Sequence, residues 1–234
     1  MRVISFASGK GGVGRTTLVA NLGVALSKLG KKTLLLDGCF ETPDLALHFK
    51  LEKAFYTLND ALAGDAPLSN VIQTGPEKVG IAPAALTLDQ IKKTKPERLP
   101  EVVKEIDRKT DFVLIDTPGG LRRDTVAALR SSTEAVLVTT PDMVAVSDCM
   151  KTKLIVEFLG IRLRGFVVNR VTGAEFELKT REIQEILNVP LLGFIPEDDQ
   201  ISESIRKGVP IVSYDPASPA AQAITKIAKK LVRT

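Results

Sequence analysis

Ser8-Gly-Lys-Gly-Gly-Val-Gly-Arg-Thr-Thr17 is the stretch on which the reading of this chain turns. An apolar, β-prone run from Val3 to Ala7 precedes it and an amphipathic run from Leu18 to Leu29 follows, so the order is strand, glycine-rich turn, helix. Gly9, Gly11, Gly12 and Gly14 tolerate positive φ and carry no Cβ. Successive backbone N–H groups through Val13 to Thr17 are thereby free to converge on one anion at a helix N-terminus. Such a turn is a phosphate cradle, and Thr16 stands where a hydroxyl reaches Mg²⁺. The pattern G-x-x-x-x-G-K-[ST] is met from Gly9 to Thr16 at every position but one, where Arg15 replaces the lysine.

Two carboxylates are expected beside this loop. After Gly30 ends the first helix, the short apolar strand Thr33 to Leu36 runs into Asp37, and Phe112 to Ile115 runs into Asp116. Four apolar residues in succession indicate a strand buried on both faces. In open α/β sheets ligands collect at the carboxyl ends of strands, so Asp37, Asp116 and Thr16 form the candidate Mg²⁺ set. Pro118, Gly119 and Gly120 after Asp116 give a turn able to approach a phosphate closely. Gly38 to Asp44, with Pro43 and no periodicity, reads as a loop over the phosphates.

Further strands are expected at Val79 to Ala82, Ala135 to Thr139, Gly165 to Asn169 and Leu191 to Ile195. Helices are expected at Leu58 to Ala63 behind Thr57, Lys95 to Lys109, Ser147 to Leu159, Lys179 to Leu187, Ile201 to Lys207 and Ala220 to Thr234. This alternation implies right-handed βαβ units, and therefore an α/β, three-layer fold with a mainly parallel sheet of about seven strands between helices, one domain over residues 1–234.

The 234 residues, 44% of them hydrophobic, suffice for a full core. A net charge of +4, with charged residues interspersed, does not argue for nucleic-acid binding. Cys39 and Cys149 form no CxxC pair and His48 is the only histidine, so no transition-metal site is expected. No leader precedes Val3 and no apolar run approaches the ~20 residues of a bilayer span, which gives the expectation of a cytoplasmic protein, at most peripheral to a membrane.

The placement of Lys10 directly after the first glycine, in K-G-G-V-G-x-T-T, resembles the deviant Walker A ATPases of the MinD and ParA type, with the archaeal MinD-like proteins nearest. The resemblance runs along nearly the whole chain and implies a P-loop NTPase fold, ATP/ADP and Mg²⁺ as cofactors, an ATP-dependent homodimer and a recruited protein. It implies that Lys10 serves the partner's phosphates, that Asp116 to Gly120, D-x-P-x-G, begins a second switch, and that Gly38 to Asp44 is the first. Asn169-Arg170 matches the asparagine that bonds the adenine edge, and Pro196-Glu197-Asp198 the loop flanking the base. Two positions depart from the pattern. Arg15 brings a forked guanidinium in place of an ammonium, and Cys39 stands where the family has the carboxylate that positions the attacking water, with Glu41 or Asp44 as substitutes.

The implied function is a nucleotide-dependent dimerisation switch in cell-division site placement or spatial organisation, with hydrolysis slow or lost through Arg15 and Cys39. Alternatives are a non-hydrolysing ATP-binding scaffold, a DNA-segregation ATPase of ParA type, and a metallocluster carrier, the last opposed by the missing CxxC. The closing helix, with Ile224, Ile227 and Leu231 on one face and Lys226, Lys229, Lys230 and Arg233 around the other, is expected to pack on the core rather than on a membrane surface.

Overall fold

The computed structural model describes residues 1–51 and 54–233, so Glu52, Lys53 and the final Thr234 of the expected closing helix lie outside the described residues. The order is β1 (Arg2–Ala7), α1 (Arg15–Lys28), β2 (Thr33–Asp37), a 3₁₀ turn (Leu45–Phe49), α2 (Leu58–Ala63), α3 (Leu68–Val71), β3 (Gln73–Thr74), β4 (Gly80–Ala82), α4 (Leu88–Lys93), α5 (Leu99–Lys104), β5 (Phe112–Asp116) and α6 (Arg123–Arg130). Then come β6 (Glu134–Thr139), α7 (Met143–Phe158), β7 (Arg162–Val171), α8 (Thr180–Leu187), β8 (Leu191–Pro196), α9 (Gln200–Lys207), α10 (Ile211–Tyr214) and α11 (Pro219–Arg233).

One sheet runs β3-β4-β2-β5-β1-β6-β7-β8, parallel throughout except for the β3–β4 pair. Alternation along the strands sets the three layers. Ile4 and Phe6 of β1, with Phe112 and Leu114 of β5, join a core with α1 and α11, whereas Val3, Val113 and Ile115 join the opposite core with α2 and α5. Because β2 and β5 pair in parallel register, Asp37 lies directly beside Asp116, and Phe6 of β1 pairs Asp116 on its other side. The sheet thus brings both strand-tip carboxylates to the loop that leaves β1.

The strands expected from sequence are all present, with β7 running longer at both ends and the two-residue β3 added at the edge. Gln73-Thr74 has too few residues for a periodicity to be read. The helix expected over Lys95 to Lys109 is shorter. Pro96 and Pro100 carry no N–H, so a 3₁₀ turn at Pro96–Arg98 precedes α5, which ends at Lys104. Its stripe is nonetheless right, since Leu99, Val102, Val103 and Ile106 are all buried. Helix α7 begins four residues before Ser147, because the Asp142 carboxylate caps it by accepting from Ala145 N at 2.8 Å.

α11 lays Ile224, Ile227 and Leu231 into the core against β8 and α1, each at most 1% exposed. The apolar face is therefore occupied by the protein itself. Among the described residues no helix is long and apolar enough to cross a membrane.

Candidate nucleotide and metal site

The loop between β1 and α1 is held open by backbone that only glycine adopts freely. Gly12 and Gly14 have φ of 79° and 83°, and a Cβ on Gly14 would lie 2.3 Å from Asn169 Nδ2. Gly119 approaches so closely that its Cβ would lie 2.5 Å from Gly11 N, which seats the turn after β5 on the loop. A cavity of about 560 Å³ opens above, lined by Gly11, Gly12, Gly14, Arg15, Thr16 and Thr17 from the loop and α1. Cys39, Asp44 and His48 line it from the β2 side, and Gly119, Arg122 and Arg170 close it. A second recess is lined by Asn169, Arg170, Pro196, Glu197 and Asp198 together with Gly14 and Thr17. The two recesses share Gly14, Thr17 and Arg170, so most of the residues expected at the phosphates and at the base line adjoining space, whereas Gly9, Lys10 and Val13 line neither.

Thr16 Oγ1 donates to Asp116 Oδ2 at 2.6 Å, while Asp116 Oδ1 is buried without a partner. Ligand atoms of Asp37, Cys39 and Asp116 lie within 4.8 Å of one another. Burial pushes the Asp116 carboxyl up to about 6, against the opposing pull of the Arg15 charge and of hydrogen bonds from Thr16 and Cys39. Asp37 is raised well above the usual carboxylate range, by burial and then by the charge of Asp116. Two buried acids and an orphaned oxygen form an environment that a divalent cation would relieve, and an all-oxygen set of hydroxyl and carboxylate suits Mg²⁺. Within the pair Asp116 is the better donor. Both oxygens of Asp37 already accept backbone N–H groups, Cys39 N at 3.1 Å and Leu45 N at 3.2 Å, so Asp37 shapes the loop after β2.

Arg15 is turned into the base of the loop. Its Nε donates to Thr117 O at 2.9 Å, and its Nη1 to Ser8 Oγ and to Lys10 O. The fork that replaces the lysine braces β1, the glycine loop and the turn after β5 against one another. Cys39 is buried with Sγ 3.8 Å from Asp116 Oδ2, and burial, then the Asp116 charge, pushes its thiol up. It is a protonated donor toward the acid pair, the reverse of a carboxylate that would accept from water. Of the two substitutes, Asp44 lines the cavity and Glu41 is ion-paired with Arg122, tying the loop after β2 to the turn after β5.

Lys10 Nζ lies 3.3 Å from Asp142 Oδ1. Although burial acts the other way, the Thr140 hydroxyl, Ala145 N–H and Lys10 hold the Asp142 carboxyl below the usual range. Asn169 donates from Nδ2 to Val13 O at 2.8 Å, so its amide ties the end of β7 to the glycine loop while lining the base-side recess. Arg170 follows in left-handed backbone, φ 59°, within β7 where the pairing with β8 shifts register, and it lines both cavities. Asp198 accepts Gln200 N at 3.0 Å and Ala220 N at 3.3 Å, fixing the starts of α9 and α11 beside the base-side recess.

Sequence reasoning missed Asp142, Arg122 and His48. Asp142 carries a readable signal, an Asp after Pro141 three residues ahead of a buried alanine. Arg122 and His48 reach the site only through packing between loops.

The family described as ParA, the NUBPL iron-transfer P-loop NTPases, matches residues 1–232. An uncharacterised ATP-binding protein of Methanocaldococcus jannaschii is 42% identical over 98% of this chain and 87% of its own. Among solved structures, the septum site-determining protein MinD of Pyrococcus horikoshii complexed with Mg-ADP superimposes with a TM-score of 0.95 at 41% identity, covering 98% of this chain and 95% of that one. The MinD chain of the MinC:MinD cell division complex of Aquifex aeolicus gives 0.90 at 30%, covering 100% and 97%.

Proposed function

The chain belongs to the ParA/MinD family of deviant Walker A P-loop ATPases and is MinD-like within it, and from that premise we propose that it binds Mg-ATP and Mg-ADP and works as an ATP-dependent dimerisation switch with slow hydrolysis. The observation that carries this reading is the Thr16–Asp116 hydrogen bond at the foot of the glycine loop, with the second Asp116 oxygen left bare. Backbone N–H groups of the loop would receive the phosphates, and Asn169, Arg170 and the Pro196 to Asp198 segment would flank the base. Thr16, with Asp116 behind it, would hold Mg²⁺, which supplies positive charge against that developing on the γ-phosphate.

Slow turnover follows from the chain's own residues. Cys39 offers the attacking water a neutral thiol, and Glu41 is engaged by Arg122. Arg15 spends Nε and Nη1 on protein acceptors, which favours a second reading, an ATP-binding scaffold that does not hydrolyse at all. Lys10 is the group proposed to change partners, from Asp142 of its own chain to the phosphates of a second copy. A MinC-like protein recruited by the dimer is the partner class suggested by the Aquifex aeolicus complex. The iron-transfer description of the matched family is not extended to this chain: Cys39 and Cys149 are both buried, Cys149 among Leu137, Val146 and Phe166.

Thermal denaturation with and without nucleotide tests the proposal. Saturating Mg-ADP is expected to raise the midpoint by several degrees, since a ligand of the native state stabilises it by mass action. An unchanged midpoint with both nucleotides would sink it. Steady-state phosphate release then separates slow hydrolysis from none.

A further inference from the structure

His48, the only histidine of the chain, is buried on the 3₁₀ turn after β2 and touches α1 one residue beyond the Mg²⁺-site hydroxyl. Its Nδ1 lies 3.1 Å from the carbonyl oxygen of Asp44 and its Nε2 3.1 Å from Thr17 Oγ1. A carbonyl only accepts, so Nδ1 carries the proton. In a neutral imidazole Nε2 then bears a lone pair, and the Thr17 hydroxyl must donate to it. Thr17 lines the phosphate-side cavity and has a single hydroxyl proton.

A phosphate oxygen at Thr17 is also an acceptor only, so it competes with His48 for that proton. Once the hydroxyl turns to phosphate, Nε2 faces the lone pairs of Thr17 Oγ1 in a buried setting, an unpaired acceptor of the kind that folded proteins avoid. Protonation of Nε2 removes the conflict and completes a chain from Asp44 O through Nδ1–H, Nε2–H and the Thr17 hydroxyl to phosphate. The added charge also faces the phosphate anion. We propose that His48 is a positioning residue for the nucleotide: it takes up one proton from solvent when a phosphate accepts from Thr17, and as imidazolium it orients that hydroxyl.

The inference rests on the nucleotide reading above. In the free protein burial lowers the His48 pKa from its ordinary value, partly offset by Asp44, so the imidazole is neutral at pH 7 and free to take up the proton. The surrounding charges leave that role to it. On its own turn Asp44 acts on it and the Lys50 stem lies against Gly208; on α1 Arg15 is turned to Thr117 and Ser8; on α9 Glu203 is paired with Arg206 and Lys207. Arg122, paired with Glu41, and Arg170 line the same cavity.

Because the histidine is single, its ¹⁵N and ring ¹H shifts titrate without ambiguity. In the full chain saturated with Mg-ADP the His48 pKa is expected to rise by about one unit or more over the free protein. Calorimetry of Mg-ADP binding near pH 6.5, in buffers of different ionisation enthalpy, gives the proton count. Wild type is expected to take up more protons per nucleotide than His48→Gln, up to about half a proton for a one-unit rise, since the glutamine amide donates but does not titrate. Wild-type affinity should fall by up to about tenfold per pH unit between the free and bound pKa values, and the variant's dependence should lack that step. A purely structural role for His48 would change stability and leave the proton counts equal. Equal counts, or a His48 pKa that stays or falls on binding, would overturn the inference while leaving nucleotide binding intact. The absence of any binding heat would overturn the nucleotide reading and this inference with it. Should the variant not fold, the wild-type titration decides alone.

Discussion

Lys10 Nζ lies 3.3 Å from Asp142 Oδ1, so the lysine at the head of the glycine loop is held by α7 of its own chain. Asp142 also caps that helix, which couples the position of the lysine to the start of α7. Gly9 reinforces the link, since a Cβ there would strike the Asp148 backbone six residues further along. An exposed pair of this kind is worth ~0–1 kcal/mol, a hold that a phosphate can break.

Asp142→Asn keeps a good N-cap and removes the charge, so the tether is lost with the helix start intact. If Lys10 must leave Asp142 to reach a second copy, the ATP concentration for half-maximal dimerisation in light scattering should fall by about two- to fivefold, the equivalent of up to about 1 kcal/mol. Lys10→Ala should abolish ATP-dependent dimerisation altogether. A Lys10→Ala protein that still dimerises would confine the lysine to its own loop.

Cys39→Asp puts a carboxylate beside Asp116 at the wall of the phosphate-side cavity. Steady-state ATP hydrolysis should rise about tenfold or more, alone or with Arg15→Lys, as expected for a group that positions the nucleophile. The same change places a third acid in the buried group of Asp37 and Asp116, so the nucleotide-free variant should melt below wild type. Equal rates for wild type and the double variant would mean that another group already orients the water.

Stability should depend on pH through Asp116. Its folded pKa, about 6, is above the ordinary ~3.9 of an unfolded chain, so the folded state binds the extra proton. The corresponding stability is fully present below pH ~3.9 and is lost as pH rises through about 6. Asp37, raised in the same direction, adds to the loss. Between pH 5 and 7.5 the nucleotide-free protein should therefore lose stability relative to Asp116→Asn, by about 1.4 kcal/mol. Saturating Mg-ADP should flatten the difference. Parallel curves for wild type and variant would show that another group neutralises Asp116.

The fold and the placement of Gly9 to Thr17, Asp37 and Asp116 were legible in the sequence because each depends on local pattern: a glycine loop, an apolar run, an acid at its end. Parallel register then makes neighbours of Asp37 and Asp116 without further information. What stayed hidden was the use made of each side chain. Arg15 reads as a phosphate ligand, and the sequence does not show that its Nε and Nη1 also bond Thr117 O and Ser8 Oγ, just after β5 and β1. Asn169 reads as a base reader, yet its amide also secures Val13 O, a contact 156 residues away in sequence. His48 gives no signal, since its partner Thr17 lies on another element. Pairings of that range follow from packing, which periodicity does not carry.

The last expectation concerns α11. Its apolar face carries no aromatic anchor and is already spent: Ile224, Ile227 and Leu231 are buried, and Ile227 packs so closely on β8 that a Cβ on Gly193 would lie 2.7 Å from it. The C-terminal end of the helix is fastened twice. Lys230 Nζ donates to Leu192 O at 2.7 Å, and Arg2 reaches from β1 to the Leu231 carbonyl. A helix with these contacts would have to leave the core to enter a membrane, exposing the surface it covers on α1 and β8. Ile227→Ala should therefore cost ~2–5 kcal/mol in chemical denaturation, the range for a fully buried large-to-small change. A chain truncated after Pro219 should fail to fold, and the full chain should not co-sediment with anionic liposomes with or without ATP. Liposome binding that needs ATP and disappears in a truncated but folded chain would show that α11 leaves the core, and would move this helix from packing to anchoring.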